Sequence, residues 1–201
     1  MRAALIDYGA SNTLSVTAAL QRAGFAVHIT SDSQGLLDHD AIVIPGVGHF
    51  RTAALRLVPM RRALSQAAEE GIPILGICLG LQVLFEKSEE SPEPGLGLMR
   101  GRVALISGGE RVPHIGWNEI VATKDSALLN GIEDGSRVYF VHSYHVLPED
   151  PDTVAAVTDY GTTLVCVVAA DNVLGTQFHP EKSGSVGSQV LKNFCEIARR
   201  G

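Results

Sequence analysis

The chain lacks the features of membrane, disulfide-rich and nucleic-acid-binding proteins. None of its apolar runs reaches the ~18 residues that a membrane-spanning helix needs. Three cysteines, Cys78, Cys166 and Cys195, form no C-x-x-C pair, which argues against a disulfide scaffold and a zinc site. The net charge is −6 and no cluster of lysine and arginine offsets it, so we do not expect a nucleic-acid partner. Internal repeats and low-complexity segments are also missing.

The bulk composition favours a compact domain. Apolar residues make up 45% of the 201-residue chain and charged residues 19%, which is enough for a substantial core. The N-terminal segment MRAALIDYGA has no apolar signal-peptide core and no cleavage site, so we expect a cytoplasmic protein without a membrane partner. We see no linker, and therefore predict a single domain over residues 1–201.

Hydrophobic patterning differs between the two halves of the chain. The first half alternates short apolar strands (2–6, 25–29, 40–44 and 72–75) with helical segments (12–23, and 51–70 with a break near Pro59), which is typical of a parallel sheet covered by helices. The second half contains strand candidates at 103–106, 119–122, 137–146, 154–157, 163–169 and 173–178, then a helix at 186–200. We predict a three-layer α/β fold whose mostly parallel sheet has helices on both faces and an antiparallel extension at its edge.

The strand at 72–75 leads into Gly76-Ile-Cys78-Leu-Gly80, followed by a predicted helix over 79–87. G-x-C-x-G is the cysteine version of the turn that presents a nucleophile between a strand and a helix. Such a turn would expose the Cys78 sulfur at a helix N-terminus, which favours the thiolate, and would aim the Leu79 N–H at a developing oxyanion. The structural alternative is a buried cysteine between two packing glycines.

A cysteine nucleophile needs a base, and the base needs a group that orients it. In His179-Pro180-Glu181 the proline favours extended backbone, so that His179 and Glu181 face the same side. Glu181 can then bond one ring nitrogen and leave the other to face Cys78, which gives a Cys-His-Glu triad. A surface turn is the structural alternative.

A second backbone donor for an oxyanion is predicted in the loop 45–48, which follows a strand and should reach the same edge of the sheet. A simple turn is the alternative for this loop. Cys166 and Cys195 lie in apolar segments and are expected to be inert parts of the core. Among the histidines, His142 and His145 are expected to pack or to line the substrate site, and His114 is expected in a loop.

Together, these motifs resemble the triad-type (class I) glutamine amidotransferases, which release ammonia from glutamine. Four segments are similar, more narrowly, to the glutaminase subunits of imidazole glycerol phosphate synthases, a family that serves histidine biosynthesis. They are PGVGHF at 45–50, VPHIGWN at 112–118, YFVHSY at 139–144 and GTQFHPEKS at 175–183. The resemblance covers nearly the whole chain and shows no departure at a triad position.

The resemblance implies a role for each matching residue. Cys78 would attack the amide carbon of L-glutamine, His179 would pass the thiol proton to the departing ammonia, and Glu181 would orient His179. Water would then hydrolyse the thioester to glutamate without a metal or an organic cofactor. The oxyanion and substrate positions of the family fall on Gly48, Leu79, Gln82, Ser143 and Tyr144.

The family also implies a partner. In it, ammonia passes to a (β/α)8-barrel cyclase subunit of a heterodimer, which converts a phosphoribosyl-carboxamide nucleotide to imidazole glycerol phosphate and aminoimidazole carboxamide ribotide. Because ammonia must leave from the triad, the interface is expected nearby, with Trp117, Asn118, Tyr139 and Lys182 as candidates. For Trp117, the alternative is an ordinary core position.

Three other functions stay open at this point. The chain could be a glutaminase of another pathway, such as purine, pyridoxal phosphate or anthranilate synthesis, although segments 47–50 and 113–118 argue against it. It could be a cysteine peptidase-like or chaperone-like hydrolase that shares the G-x-C-x-G turn, although the His-Pro-Glu pair argues against that. A non-catalytic regulatory subunit is the third, and the intact triad disfavours it.

Overall fold

A computed structural model describes residues 1–9, 12–108 and 111–200. Its helices are α1 (Thr13–Ala23), α2 (Phe50–Leu57), α3 (Arg61–Glu69), α4 (Leu79–Val83) and α5 (Gly184–Arg200). Its strands are β1 (Arg2–Ile6), β2 (Ala26–Thr30), β3 (Ala41–Ile44), β4 (Ile74–Ile77), β5 (Phe85–Ser88), β6 (Met99–Leu105), β7 (His114–Ala122), β8 (Ser136–His142), β9 (Tyr144–Pro148), β10 (Val154–Asp159), β11 (Thr163–Ala170) and β12 (Val173–Thr176).

A nine-stranded sheet in the order β2-β1-β3-β4-β12-β11-β10-β7-β8 forms the centre of the fold. The strands from β2 to β12 run parallel, and those from β12 to β8 run antiparallel. The α/β class with an antiparallel extension is therefore confirmed. Strand β12 belongs to both regions, because it is parallel to β4 and antiparallel to β11.

Helices cover both faces of the sheet, as the alternating pattern predicts. On β1, Leu5 joins the core that contains the buried residues of α1 and α5, whereas Ile6 joins the core that contains those of α2 and α3. This division follows from the side-chain period of two in a strand, which sends neighbouring residues to opposite faces.

Local capping explains the ends of α1. The Asn12 side chain accepts a hydrogen bond from the Ser15 N–H at the start, and Gly24 adopts the left-handed conformation at the end (φ 109°). The predicted break near Pro59 is present as a short 3-10 turn between α2 and α3. None of the helices in the described part of the chain is long and apolar enough to cross a membrane.

The helix predicted over residues 79–87 is wrong beyond α4. The carbonyl groups of Val83 and Leu84 accept hydrogen bonds from the N–H groups of Leu96 and Met99, at 2.7 and 3.0 Å. These bonds replace the next helical turn, and the chain continues as β5 in a separate three-stranded sheet, β5-β6-β9. Long-range pairing has overridden the local helix propensity of the segment.

Two further strand predictions change for the same reason. The predicted strand 137–146 is two strands, because the chain leaves the large sheet at Ser143 and enters the small one as β9. The predicted loop around His114 is the first part of β7, whose pairing with β8 begins at His114 and His142.

Gly187 allows helix α5 to pack against the segment that follows β12. A Cβ atom at position 187 would overlap the carbonyl oxygen of Pro180, in the middle of the His-Pro-Glu motif. Because the obstacle is backbone, it cannot move aside without displacing its neighbours His179 and Glu181.

We expect Gly187→Ala to lower the free energy of unfolding by about 1–3 kcal/mol, despite the better helix propensity of alanine, because the added methyl group overpacks the contact. Chemical denaturation would measure the change. Ser188→Ala, the next position of α5, is the matched control and should leave stability unchanged or slightly raised. Equal stability of Gly187→Ala and the native chain would contradict this close packing.

Candidate active site

Cys78 lies in a strained turn between β4 and α4. Its φ of 55° and ψ of −108° are unusual for a residue with a side chain. Strain of this kind persists where the surrounding structure holds it in place, often at functional sites. The Cys78 N–H donates to the Thr176 carbonyl at 2.7 Å, which anchors the turn to β12.

The two glycines of G-x-C-x-G are required by close backbone contacts. A Cβ atom at Gly80 would overlap the carbonyl oxygen of Ile44 at the end of β3, and one at Gly76 would lie 2.6 Å from the carbonyl oxygen of Gly80. The turn can therefore form only where two backbones approach without side chains. Helix α4 has five residues, so its dipole can assist a Cys78 thiolate less than a longer helix would.

His179 and Glu181 form the predicted pair. His179 Nδ1 donates to Glu181 Oε1 at 2.8 Å, and both side chains are buried, being 3% and 2% exposed. The backbone around them is fixed because the His179 N–H donates to the Tyr139 carbonyl and the Ser183 hydroxyl donates to the His179 carbonyl. Within the described residues, His179 Nε2 has no hydrogen-bond partner.

The His179 ring holds a proton more strongly than an ordinary histidine. Burial opposes its positive charge, but the interactions with Cys78 and with the Glu181 carboxylate outweigh burial and raise the His179 pKa to about 9. Because Glu181 occupies Nδ1, Nε2 is the ring nitrogen left for Cys78. This arrangement can hold a thiolate beside an imidazolium and can return the proton to a leaving group.

A cavity of about 320 Å³ opens above Cys78. The structure brings to it all five predicted oxyanion and substrate residues: Gly48, Leu79, Gln82, Ser143 and Tyr144. As the first residue of α4, Leu79 has an N–H without an acceptor inside the helix. His142 also lines the cavity, consistent with one of the two roles expected for it.

The candidate interface residues do not all share one side of the sheet. Trp117 is 50% exposed and packs edge-on against Tyr139, with ring centroids 6.2 Å apart. Lys182 Nζ lies 5.8 Å from the centre of the Tyr139 ring. Asn118 points to the opposite face, where its amide donates to the carbonyl of Asp159 at 2.7 Å. The alternative of a core position for Trp117 is thus excluded.

Three residues at the site were missed by the sequence analysis. Gln177 lies against Cys78, with Nε2 3.7 Å from Sγ. Glu90 lines the cavity, although its acidic segment suggests a surface loop, and its carboxylate accepts the Phe50 N–H at 2.7 Å. Tyr8 donates to the Pro45 carbonyl at 2.7 Å and so supports the loop 45–48. Of these, only Gln177 carried a usable signal, since it lies two residues before His179 of the His-Pro-Glu motif.

The other two cysteines are buried, and burial raises the pKa of each thiol. Both properties fit the inert role expected of Cys166 and Cys195. Across the described ranges, no group of three or more His, Cys, Asp and Glu side chains is arranged to hold a metal ion.

Comparison with known proteins places this site in a family. The family model described as glutamine amidotransferase class-I matches residues 4–198. The chain belongs to the class-I glutamine amidotransferase family. The resemblance drawn from the G-x-C-x-G and His-Pro-Glu motifs is therefore confirmed.

The curated relatives of this class-I amidotransferase share a more specific name. A Methanothermobacter thermautotrophicus protein is 49% identical and covers 98% of both chains. One from Halobacterium salinarum is 48% identical over 96% of this chain and 91% of its own length. One from a Synechococcus species is 49% identical over 100% of this chain and 96% of its own. All three are named imidazole glycerol phosphate synthase subunit HisH.

Solved structures of lower identity share the fold of this amidotransferase. A structure titled PurLQS from Thermotoga maritima superposes with a TM-score of 0.79 at 23% identity and covers 97% of both chains. The glutaminase domain of a Trypanosoma brucei protein named CTPS, with bound acivicin, gives a TM-score of 0.72 at 19% identity and covers 100% of this chain and 94% of its own.

We expect Glu181→Gln to lower the His179 pKa below its native value of about 9, because the carboxylate is one of the groups that hold the imidazolium proton. The His179 ring of the native chain should keep its proton at neutral pH. The ring of the variant should lose its proton at a lower pH than the native ring does. Titration of the His179 ring by nuclear magnetic resonance would measure both values. Glu196→Gln, which removes an exposed carboxylate on α5, should leave the titration unchanged. The same titration in Glu181→Gln as in the native chain would contradict the assigned pairing.

Proposed function

We propose that this chain is a glutaminase that hydrolyses L-glutamine to glutamate and ammonia and feeds the ammonia to a synthase partner in histidine biosynthesis. The observation that supports this most is the combination of a strained cysteine turn that lines a cavity with a buried His179–Glu181 pair at 2.8 Å. Membership in the class-I glutamine amidotransferase family supports the choice of substrate.

In the proposed mechanism, the Cys78 thiolate attacks the amide carbon of glutamine. The carbonyl oxygen becomes an oxyanion beside the N–H groups of Leu79 and of the loop at Gly48, both of which line the cavity. His179, protonated at neutral pH, gives its proton to the departing ammonia. Water then attacks the thioester with His179 as base, and glutamate leaves.

The cavity also contains groups suited to the backbone end of glutamine. Glu90 supplies a negative charge for the α-ammonium group, and it is the only acidic residue among those lining the cavity in the described part of the chain. Ser143 and Tyr144 lie at the crossing from the large sheet to the small one, where their backbone can meet an extended ligand. Gln82 also lines the cavity.

We further propose that the partner is a (β/α)8-barrel cyclase that uses the ammonia to make imidazole glycerol phosphate and aminoimidazole carboxamide ribotide. The name shared by relatives at 48–49% identity supports this assignment. It also implies a cytoplasmic enzyme. No metal or organic cofactor is required by the glutaminase chemistry itself.

The partner is proposed to dock on the surface formed by Trp117, Tyr139 and Lys182. Lys182 directly follows Glu181, and the Tyr139 carbonyl accepts the His179 N–H, so this surface is connected to the triad through the backbone. An exposed tryptophan beside a tyrosine and a cation is a common anchor of protein interfaces. Asn118 would contribute from the other face, through its support of β7 rather than by direct contact.

We expect Cys78→Ala to abolish glutamate release from glutamine, by about 10⁴-fold or more, because no nucleophile remains to form the thioester. The assay would use the purified chain together with the barrel cyclase and its nucleotide substrate. Cys195→Ala, which removes another buried cysteine, is the matched control and should keep its activity. Full activity of a folded Cys78→Ala variant would refute the proposed mechanism.

We expect Trp117→Ala to weaken binding of the barrel cyclase by at least about 30-fold, the loss typical of a central aromatic anchor. Titration calorimetry would measure the dissociation constant. Ile29→Ala is the control, since Ile29 is similarly exposed (45%) but lies on β2, at the opposite edge of the sheet. Equal binding by the Trp117→Ala and Ile29→Ala variants would move the interface elsewhere.

A further inference from the structure

Two buried amide side chains connect the Cys78 sulfur to the start of β9. Gln82 Nε2 donates to the carbonyl oxygen of Tyr144 at 2.9 Å and to Gln177 Oε1 at 3.1 Å. Gln177 Nε2 lies 3.7 Å from Cys78 Sγ. Gln177 is fully buried, at 0% exposure, and Gln82 is buried at 5%. None of these three contacts is part of the triad of Cys78, His179 and Glu181.

The backbone carbonyl of Tyr144 fixes the direction of this chain of amides. A carbonyl oxygen can only accept, so the side of Gln82 that faces it must be the NH₂ group. Both hydrogens of that group are then used, and the atom of Gln177 that meets Gln82 must be its oxygen. Gln177 is left with its NH₂ group facing the sulfur, and this orientation follows from the network without reference to the cysteine.

A pair of buried histidines holds the Tyr144 carbonyl from the other side. His142 Nδ1 lies 2.9 Å from this oxygen and must donate to it, so His142 Nε2 must accept from His114 Nδ1 at 3.1 Å. Burial lowers the pKa of His114 to about 4 and that of His142 to about 3, so the pair stays neutral at ordinary pH. The anchor of the amide chain therefore does not change its charge during the reaction.

The sulfur has two different polar neighbours in addition to His179. The carbonyl of Val141, 3.9 Å from Sγ, can only accept and so suits a thiol. The N–H of Gln177 can only donate and so suits a thiolate. A hydrogen bond to a charged group is stronger than one to a neutral group, and more so in a buried site.

We propose that Gln177 is a further catalytic residue, whose side-chain N–H stabilises the Cys78 thiolate, and that Gln82 is the positioning residue that turns this N–H toward the sulfur. This catalytic role rests on the proposed function, because the reaction that it assists is the proposed hydrolysis of glutamine. The hydrogen bond itself acts on the free chain and does not need glutamine. The thiolate thus has two neighbours that favour it, His179, which loses its proton in the reaction, and the Gln177 amide, which does not.

The test is the pH dependence of Cys78 alkylation by iodoacetamide in the full chain, with the modified cysteine located by mass spectrometry. Gln177→Met keeps the size of the side chain but removes the N–H. We expect the midpoint of alkylation to move up by about one pH unit, so that the rate at neutral pH falls about tenfold. Gln82→Met should move it in the same direction, because Gln177 is then free to turn.

Gln189→Met, the same substitution at a half-buried glutamine of α5, is the control and should leave the midpoint unchanged. Gln177→Glu provides a second variant of nearly identical shape, and its carboxylate should raise the midpoint at least as far as methionine does. A folded Gln177 variant with the native midpoint would overturn the proposal.

The native chain offers a measurement that does not depend on the folding of a variant. The side-chain N–H resonances of Gln177 should shift with pH in step with the ultraviolet absorbance of the thiolate, and a resonance indifferent to that ionisation would also overturn the proposal. Because neither assay uses glutamine, a chain that shows these shifts but releases no glutamate would contradict the proposed function alone.

Discussion

The site depends on one backbone contact, in which Gly80 lies directly against the carbonyl group of Ile44 at the end of β3. This contact allows α4 to begin immediately after β4, and it forces Cys78 into a conformation with positive φ. The same constraint brings the loop 45–48 beside the first N–H of α4. The nucleophile and the proposed oxyanion donors are therefore positioned by a single close approach of two backbone segments, which is possible because Gly80 has no side chain.

Around this contact, the polar groups are divided between the two halves of the sheet. The parallel half provides the cysteine turn, and β12 and the segment after it provide Gln177, His179 and Glu181. The antiparallel half provides the Tyr139 carbonyl that fixes His179, and the separate small sheet provides the Tyr144 carbonyl that fixes Gln82. Most of these groups are buried, where unsatisfied hydrogen bonds are costly, and this cost is what keeps each side chain in one orientation.

The sequence predicts the parts of the site that are encoded locally. The glycines of the G-x-C-x-G turn and the i and i+2 relation of His179 and Glu181 depend on residues close together in the chain, so their geometry can be predicted from spacing. The ends of α4 and of β8 depend on pairing with β6 and β9, and no local pattern contains that information. Gln177 was missed because its contact joins residues 99 positions apart. Asn118 was grouped with Trp117 although neighbours on a strand must face opposite sides.

Strand β12 has a consequence for the order in which a competent site can arise. It is the strand at which the sheet changes from parallel to antiparallel, and its residues pair with residues of β4 that lie about 100 positions earlier in the sequence. Until β12 pairs with β4, Cys78 lacks its base, its amide donor and the Thr176 carbonyl that holds its N–H. An incomplete chain emerging from the ribosome therefore carries an unactivated thiol, and reactivity is acquired only when the last strand is in place.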